Sequence, residues 1–110
     1  RAYAYSKAGA DAILIHSKEN TPSQIFSFSK IFRKSKYYKP MIAVPSSYSK
    51  TYEKDLLKNG FSIVIYANHL LRASYKIMEK TALDILRFNR SYETEKNIVS
   101  VKEILNIKAK

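Results

Sequence analysis

Three polar segments follow apolar runs in this sequence, and each holds groups able to bind something. "AILIHS" ends in His16-Ser17, "MIAVPSS" in Pro45-Ser46-Ser47, and "FSIVIYANH" in Asn68-His69. A histidine can donate to an anionic oxygen, and as imidazolium it adds charge. One polar strand end means little, because every strand must end. Three together point to a site on one rim. His16 is the better placed of the two histidines, since His69 opens a helix and can simply sit near its N-cap. The acids do not gather there. Of nine carboxylates, Asp11 precedes a strand and Glu19 follows one, while the rest fall on helices or in a polar loop, so no divalent-metal cage is visible. With only two glycines there is no glycine-rich phosphate loop, and no G-x-S-x-G elbow occurs. These residues alone do not make a complete catalytic constellation.

The elements that must position them follow from periodicity and caps. "RAYAYSKAGADA" reads as the end of a helix stopped by Gly9. Strands are expected at Ala12–His16, Met41–Ser46 and Phe61–Asn68. Pro45 falls at the end of the second, where a missing N–H is tolerable. Thr21-Pro22-Ser23-Gln24 has the form of a capping box, with Thr21 as cap, Pro22 at N1 and Gln24 reaching back. Ile25, Phe28, Ile31 and Phe32 then give an apolar helix face. Thr51 is the expected cap of a short helix ended by Asn59-Gly60. A long helix is expected from His69 to Phe88, with Leu70, Ser74, Ile77, Thr81 and Ile85 in rhythm. After the polar loop "NRSYETEKN", Ser100 and Glu103 open a final helix with Val101, Ile104 and Leu105 inward.

The apolar runs do not alternate with polar residues, which suits parallel strands covered on both faces. The fold class is therefore α/β. A small doubly wound sheet and a sector of a (β/α)₈ barrel both fit, and a whole barrel needs about 250 residues. In either, chemistry sits at the carboxyl ends of the strands. The chain begins inside a helix and without methionine, so it is expected to be a piece of something longer.

Composition narrows the class further. The sequence has 110 residues, 45% of them hydrophobic, so one folded unit is expected. It has no cysteine, which removes disulfides and cysteine–zinc sites. No apolar run approaches the roughly 20 residues of a membrane span, and no secretory signal precedes the first strand. A cytoplasmic protein without a membrane partner is the expectation. The net charge is +11. Basic clusters occur at Arg33–Lys39 and Lys108–Lys110, but lysines are spread through every helix and loop without an arginine stripe between aromatics. A solvated lysine surface is favoured over a nucleic-acid footprint, with a small basic nucleic-acid-binding module kept as the alternative of another class.

"RAYAYSKAGADAILIHSK", "TPSQI..F", "VPSSY..T", "IVIYANHLLRAS" and "IVSVKEIL" resemble, in order and over essentially the whole chain, the C-terminal part of the phosphoenolpyruvate mutase family. That family lies within the isocitrate lyase/phosphoenolpyruvate mutase superfamily. The "ANH.LRAS" form is similar to the mutase and phosphonopyruvate hydrolase arm rather than to the lyases. The resemblance implies a (β/α)₈ barrel, with residues 1–110 forming its last three βα units and a C-terminal helix. It implies interconversion of phosphoenolpyruvate and phosphonopyruvate, with phosphonopyruvate hydrolysis as the rival activity. It also implies Mg²⁺ held by residues upstream of this chain, and dimers that exchange a helix and pair into tetramers. By the same resemblance His16 matches the histidine of the family's "IHS" segment, which contacts the transferring phosphoryl group. Ser17 and Ser46 would shape the substrate pocket. Asn68, His69 and Arg72 would serve structure or a subunit interface. Arg1 does not match the family's substrate-binding arginine, and Ser46 stands where relatives often have threonine.

Overall fold

The computed structural model describes residues 1–107. The Lys108–Lys110 cluster lies outside the described residues. The chain forms two compact units that divide between Ala67 and Asn68.

The first unit opens with α1 (Ala2–Lys7). Gly9 ends it at φ 104°, where its N–H donates to the Ser6 carbonyl at 3.2 Å and the Ala10 N–H to the Tyr5 carbonyl at 3.0 Å. This pair of bonds is a Schellman stop, which needs the left-handed backbone that glycine adopts without strain. β1 (Ile13–Ile15), α2 (Ser23–Phe32), β2 (Met41–Ala43), α3 (Glu53–Lys58) and β3 (Phe61–Val64) come next. The strands are parallel and lie in chain order, β1-β2-β3.

Register separates the two faces of this sheet. Ile13 lies opposite Met41, and Met41 opposite Phe61. These three and Ala43 are buried in one core with Ile25 and Phe32 of α2, Leu56 of α3, and Tyr48. Each such large side chain contributes about 1.5–3 kcal/mol by leaving water. The other face carries a second row, in which Leu14 lies opposite Ile42 and Ile42 opposite Ile63. Leu14 is 52% exposed and Ile63 47%. The register slips by one residue at Ser62, so that Ile63 faces Ile42 and Val64 faces Ala43.

Within the first unit the helices cover one face of the sheet. The apolar row on the other face has no layer against it in this unit. Parallel strands in chain order, with their connecting helices on one side, match a barrel sector rather than a doubly wound sheet, which places helices on both faces.

The strands are also shorter than their apolar runs. β1 stops at Ile15, before His16. β2 stops at Ala43, because Val44–Ser46 turns about Pro45 with the Ser46 N–H donating to the Val44 carbonyl at 2.9 Å. β3 stops at Val64, well before Asn68. Two expected caps do not form. The N-cap of α2 is Pro22, and Thr21 Oγ1 instead meets Ser23 Oγ at 3.1 Å. The N-cap of α3 is Tyr52, one residue past Thr51, and it lacks a side-chain cap bond.

The second unit contains α4 (His69–Phe88), a 3-10 helix (Tyr92–Asn97) and α5 (Val101–Leu105). Asn68 and Asn89 flank α4 in left-handed conformations, at φ 54° and 51°. Asparagine tolerates this region better than most residues. An ion pair between Lys80 and Asp84 spans one turn of α4. The 3-10 helix is held by buried Thr94, whose hydroxyl donates to the Ser91 carbonyl at 2.6 Å, and by the Arg90–Glu93 pair. Ile98 joins Ile77, Met78, Thr81, Ala82 and Ile85 around a shallow apolar groove. Ser100 caps α5 as expected, accepting from the Glu103 N–H at 3.1 Å. The inward face expected for α5 is corrected, since Leu105 is 77% exposed and Val101 and Ile104 are exposed too. No residue of α4 is buried. Among the described residues, no helix is long and apolar enough to cross a membrane.

Candidate active site at the carboxyl ends of the strands

The pairing of Ile15 with Ala43, and of Ala43 with Val64, levels the three strand ends. The segments after them therefore leave the sheet on one rim. Burial alternates along the first segment: Ile13 buried, Leu14 exposed, Ile15 half-buried, His16 exposed and Ser17 buried. His16 thus continues the phase of Leu14, on the uncovered face of the sheet. Among the described residues its ring makes no hydrogen bond, so both ring nitrogens are available to a ligand.

Ser17 sits differently. It is 4% exposed, and its hydroxyl donates to Gln24 Oε1 at 2.7 Å while accepting from the Glu19 N–H at 3.1 Å. The glutamine expected to complete a helix cap is therefore used across the β1–α2 loop. Ser46 and Ser47 are half-buried on the β2–α3 loop, which is plugged by fully buried Tyr48. Burial pushes the Tyr48 phenol above its ordinary value, and the Val44 backbone pulls it partly back. That loop is fixed by its own packing and offers its serines at the same rim as His16.

Sequence reasoning did not single out Tyr66 and Glu53. The Tyr66 hydroxyl donates to Glu53 Oε1 at 2.7 Å, tying the segment after β3 to the first turn of α3. This bond to a carboxylate, more than burial, raises the Tyr66 phenol above its ordinary value. A separation of 13 residues matches no local motif, and the packing of α3 on β3 brings the two together.

His16, Ser17, Ser46 and Ser47 belong to the first unit, whereas Asn68, His69 and Arg72 belong to the second. The described residues contain no group of three or more His, Asp or Glu side chains able to hold a metal ion. The residues present therefore do not make a Mg²⁺ site by themselves.

Parallel βα units with one covered face and a polar rim at the strand ends define part of a barrel of the enzyme-bearing type. A family model described as phosphoenolpyruvate phosphomutase matches residues 1–86. The chain belongs to this family. It is 37% identical over 107 residues to a phosphoenolpyruvate phosphomutase of Tetrahymena pyriformis, covering 97% of this chain and 35% of that protein. It is likewise 37% identical over 108 residues to a phosphonopyruvate hydrolase of Variovorax sp. (strain Pal2), covering 97% of this chain and 36% of that protein. A solved phosphonopyruvate hydrolase in complex with oxalate and Mg²⁺ superposes with a TM-score of 0.81 at 38% identity, over 93% of this chain and 35% of the other. The chain thus spans about a third of the length of the relatives it matches.

Proposed function

We propose that this chain is part of a phosphoenolpyruvate mutase, an isomerase that interconverts phosphoenolpyruvate and phosphonopyruvate. Residues 1–110 would supply the last three βα units of the barrel and a C-terminal helix. The observation that carries the reading is His16: it is exposed at the end of β1, on the phase of the uncovered face, within a segment the family shares. In the forward or reverse direction the phosphorus moves between C3 and the enol oxygen of a pyruvate skeleton. When the C–P bond of phosphonopyruvate breaks, its electron pair stays with carbon as an enolate. The enolate oxygen then takes the metaphosphate-like group, so nothing is gained or lost.

Such a loose transition state is stabilised by position and charge. His16 would donate to a phosphoryl oxygen and hold the migrating group. Ser46 would line the pocket beside it, and Ser17 would shape the loop. Mg²⁺, when bound, supplies electrostatic stabilisation of the substrate's oxygens. Its ligands would come from the part of the family's length that this chain does not span. The family resemblance also carries a cytoplasmic homotetramer with an exchanged helix, and the exposed apolar surface of α4 and α5 supports such an assembly.

Phosphonopyruvate hydrolase is the second reading, favoured by equal identity to a relative of that name. Incubating the intact protein with phosphonopyruvate and Mg²⁺ separates the two. Phosphoenolpyruvate as product supports the mutase. Pyruvate and inorganic phosphate establish the hydrolase instead, and no turnover sinks both.

A further inference from the structure

His16 has no regular structure of its own to hold it, because β1 ends one residue earlier. The chain then runs as a loop to α2, without strand or helix. Yet both neighbours of His16 are fixed. Ile15 is paired with Ala43 on the strand side. Ser17 is buried on the loop side, and its hydroxyl spends its one proton on Gln24 Oε1 and accepts the Glu19 N–H. Gln24 lies in the first turn of α2, next to Ile25, which is fully buried in the core. The rigidity of the core is thereby passed through one side-chain bond to the residue after the histidine.

We infer that Gln24 is a positioning residue, which with Ser17 clamps the β1–α2 loop so that the His16 backbone is fixed while its ring stays open to the substrate. This deepens the phosphoryl-facing reading of His16 and rests on it. It gives Ser17 a place in the site without substrate contact, since its donor is already used inside the protein. A single rotatable residue between two fixed points is a small tolerance. Misplacing a catalytic group by about 1 Å is enough to cost up to 100-fold in rate.

The test uses the intact enzyme and phosphonopyruvate. Gln24→Leu keeps the size of the side chain but removes the acceptor, and lowers kcat about tenfold with KM nearly unchanged, as for a contact that matters in the transition state. Gln24→Glu keeps an acceptor for the Ser17 hydroxyl and recovers most of that loss. Ser17→Ala lowers kcat to a similar extent, and adding Gln24→Leu to it causes little further loss, because both changes remove one clamp. Wild-type kcat in Gln24→Leu overturns the inference. So do losses that multiply in the double variant, which would make Ser17 a substrate contact in its own right. If the wild-type protein does not act on phosphonopyruvate, the functional reading falls, and exchange of the Glu19 amide with D₂O judges the clamp alone. Faster exchange in Gln24→Leu shows that the clamp exists, and unchanged exchange overturns it.

Discussion

Phe32 and Leu70 are both large apolar side chains on helices, and their surroundings are opposite. Phe32 is fully buried among the covered-face residues of the sheet, stacked on Phe28 with ring centroids 5.1 Å apart. Leu70, in the first turn of α4, is 85% exposed. The first unit has a core of its own, and its polar rim is built on that core. Among its described residues the second is held by local devices, including the Ser100 cap, the Lys80–Asp84 and Arg90–Glu93 pairs and buried Thr94, with Ile98 beside the apolar groove of α4. The difference teaches that the candidate chemistry belongs to the region with its own hydrophobic support, while α4 has no buried residue.

The largest effect tests the chemistry of the supported region. His16→Ala in the intact protein lowers turnover of phosphonopyruvate by about 100-fold or more, the cost of losing one donor to a developing charge. Its melting temperature stays near that of the wild type, because His16 is exposed. Wild-type turnover in this variant removes His16 from the mechanism.

Next comes the contrast itself, read by urea unfolding of the 110-residue chain. Phe32→Ala costs about 3–5 kcal/mol. Leu70→Ala changes stability by no more than about 0.5 kcal/mol, as exposed sites do. A large cost at Leu70 in this chain breaks the comparison. A large cost at Leu70 in the intact protein only sharpens it, by showing that the rest of the assembly covers α4. The chain alone is also expected to bind hydrophobic dyes at its exposed apolar rows and to be inactive. Turnover by the chain alone contradicts this.

Smaller effects separate real caps from apparent ones. Ser100→Ala destabilises α5 by about 1 kcal/mol, because its hydroxyl caps the helix. Thr51→Ala leaves α3 unchanged, because the helix starts at Glu53 after Tyr52. Helical chemical shifts at residues 53–58 and 101–105 read both outcomes.

The smallest effect is a pH dependence. The hydrogen bond from Arg90 holds the Glu93 carboxyl below its ordinary value of 4.5. Its contribution to the 3-10 turn is therefore complete above that value and is lost as pH falls through the depressed one. A carboxyl titration followed by NMR shows Glu93 below 4.5 in the wild type and back near it in Arg90→Ala.

Much of the first unit was legible in the sequence. Gly9 as a helix stop, the three apolar runs and the α2 face of Ile25 and Phe32 all follow from local rules, and the structure has them. The polar residues after β1 and β2 were legible for the same reason, whereas Asn68 and His69 fall in the second unit, beyond the end of β3 at Val64. The illegible parts depended on distance along the chain. Gln24 has the spacing of a capping residue, and only the position of the β1–α2 loop gives its oxygen to Ser17 instead. Tyr66 and Glu53 meet through the packing of α3 on β3. Val101, Ile104 and Leu105 have the pattern of an inward face, but a pattern shows which side is apolar and not what covers it.

The register slip at Ser62 has a consequence for how the gene can change. In a strand, removing one residue turns every later side chain to the opposite face. Here the extra residue lets Phe61 lie under the helices while Ile63 joins the other row. Ser62 is exposed and is the extra residue of the slip, so neither its identity nor its presence sets the pairing of the residues after it. Substitutions at this position should pass almost unnoticed. An in-frame deletion of the single codon would leave Phe61, Ile63 and Val64 opposite Met41, Ile42 and Ala43 in a regular ladder, so the slip is where this strand can lose a residue without turning the later side chains over.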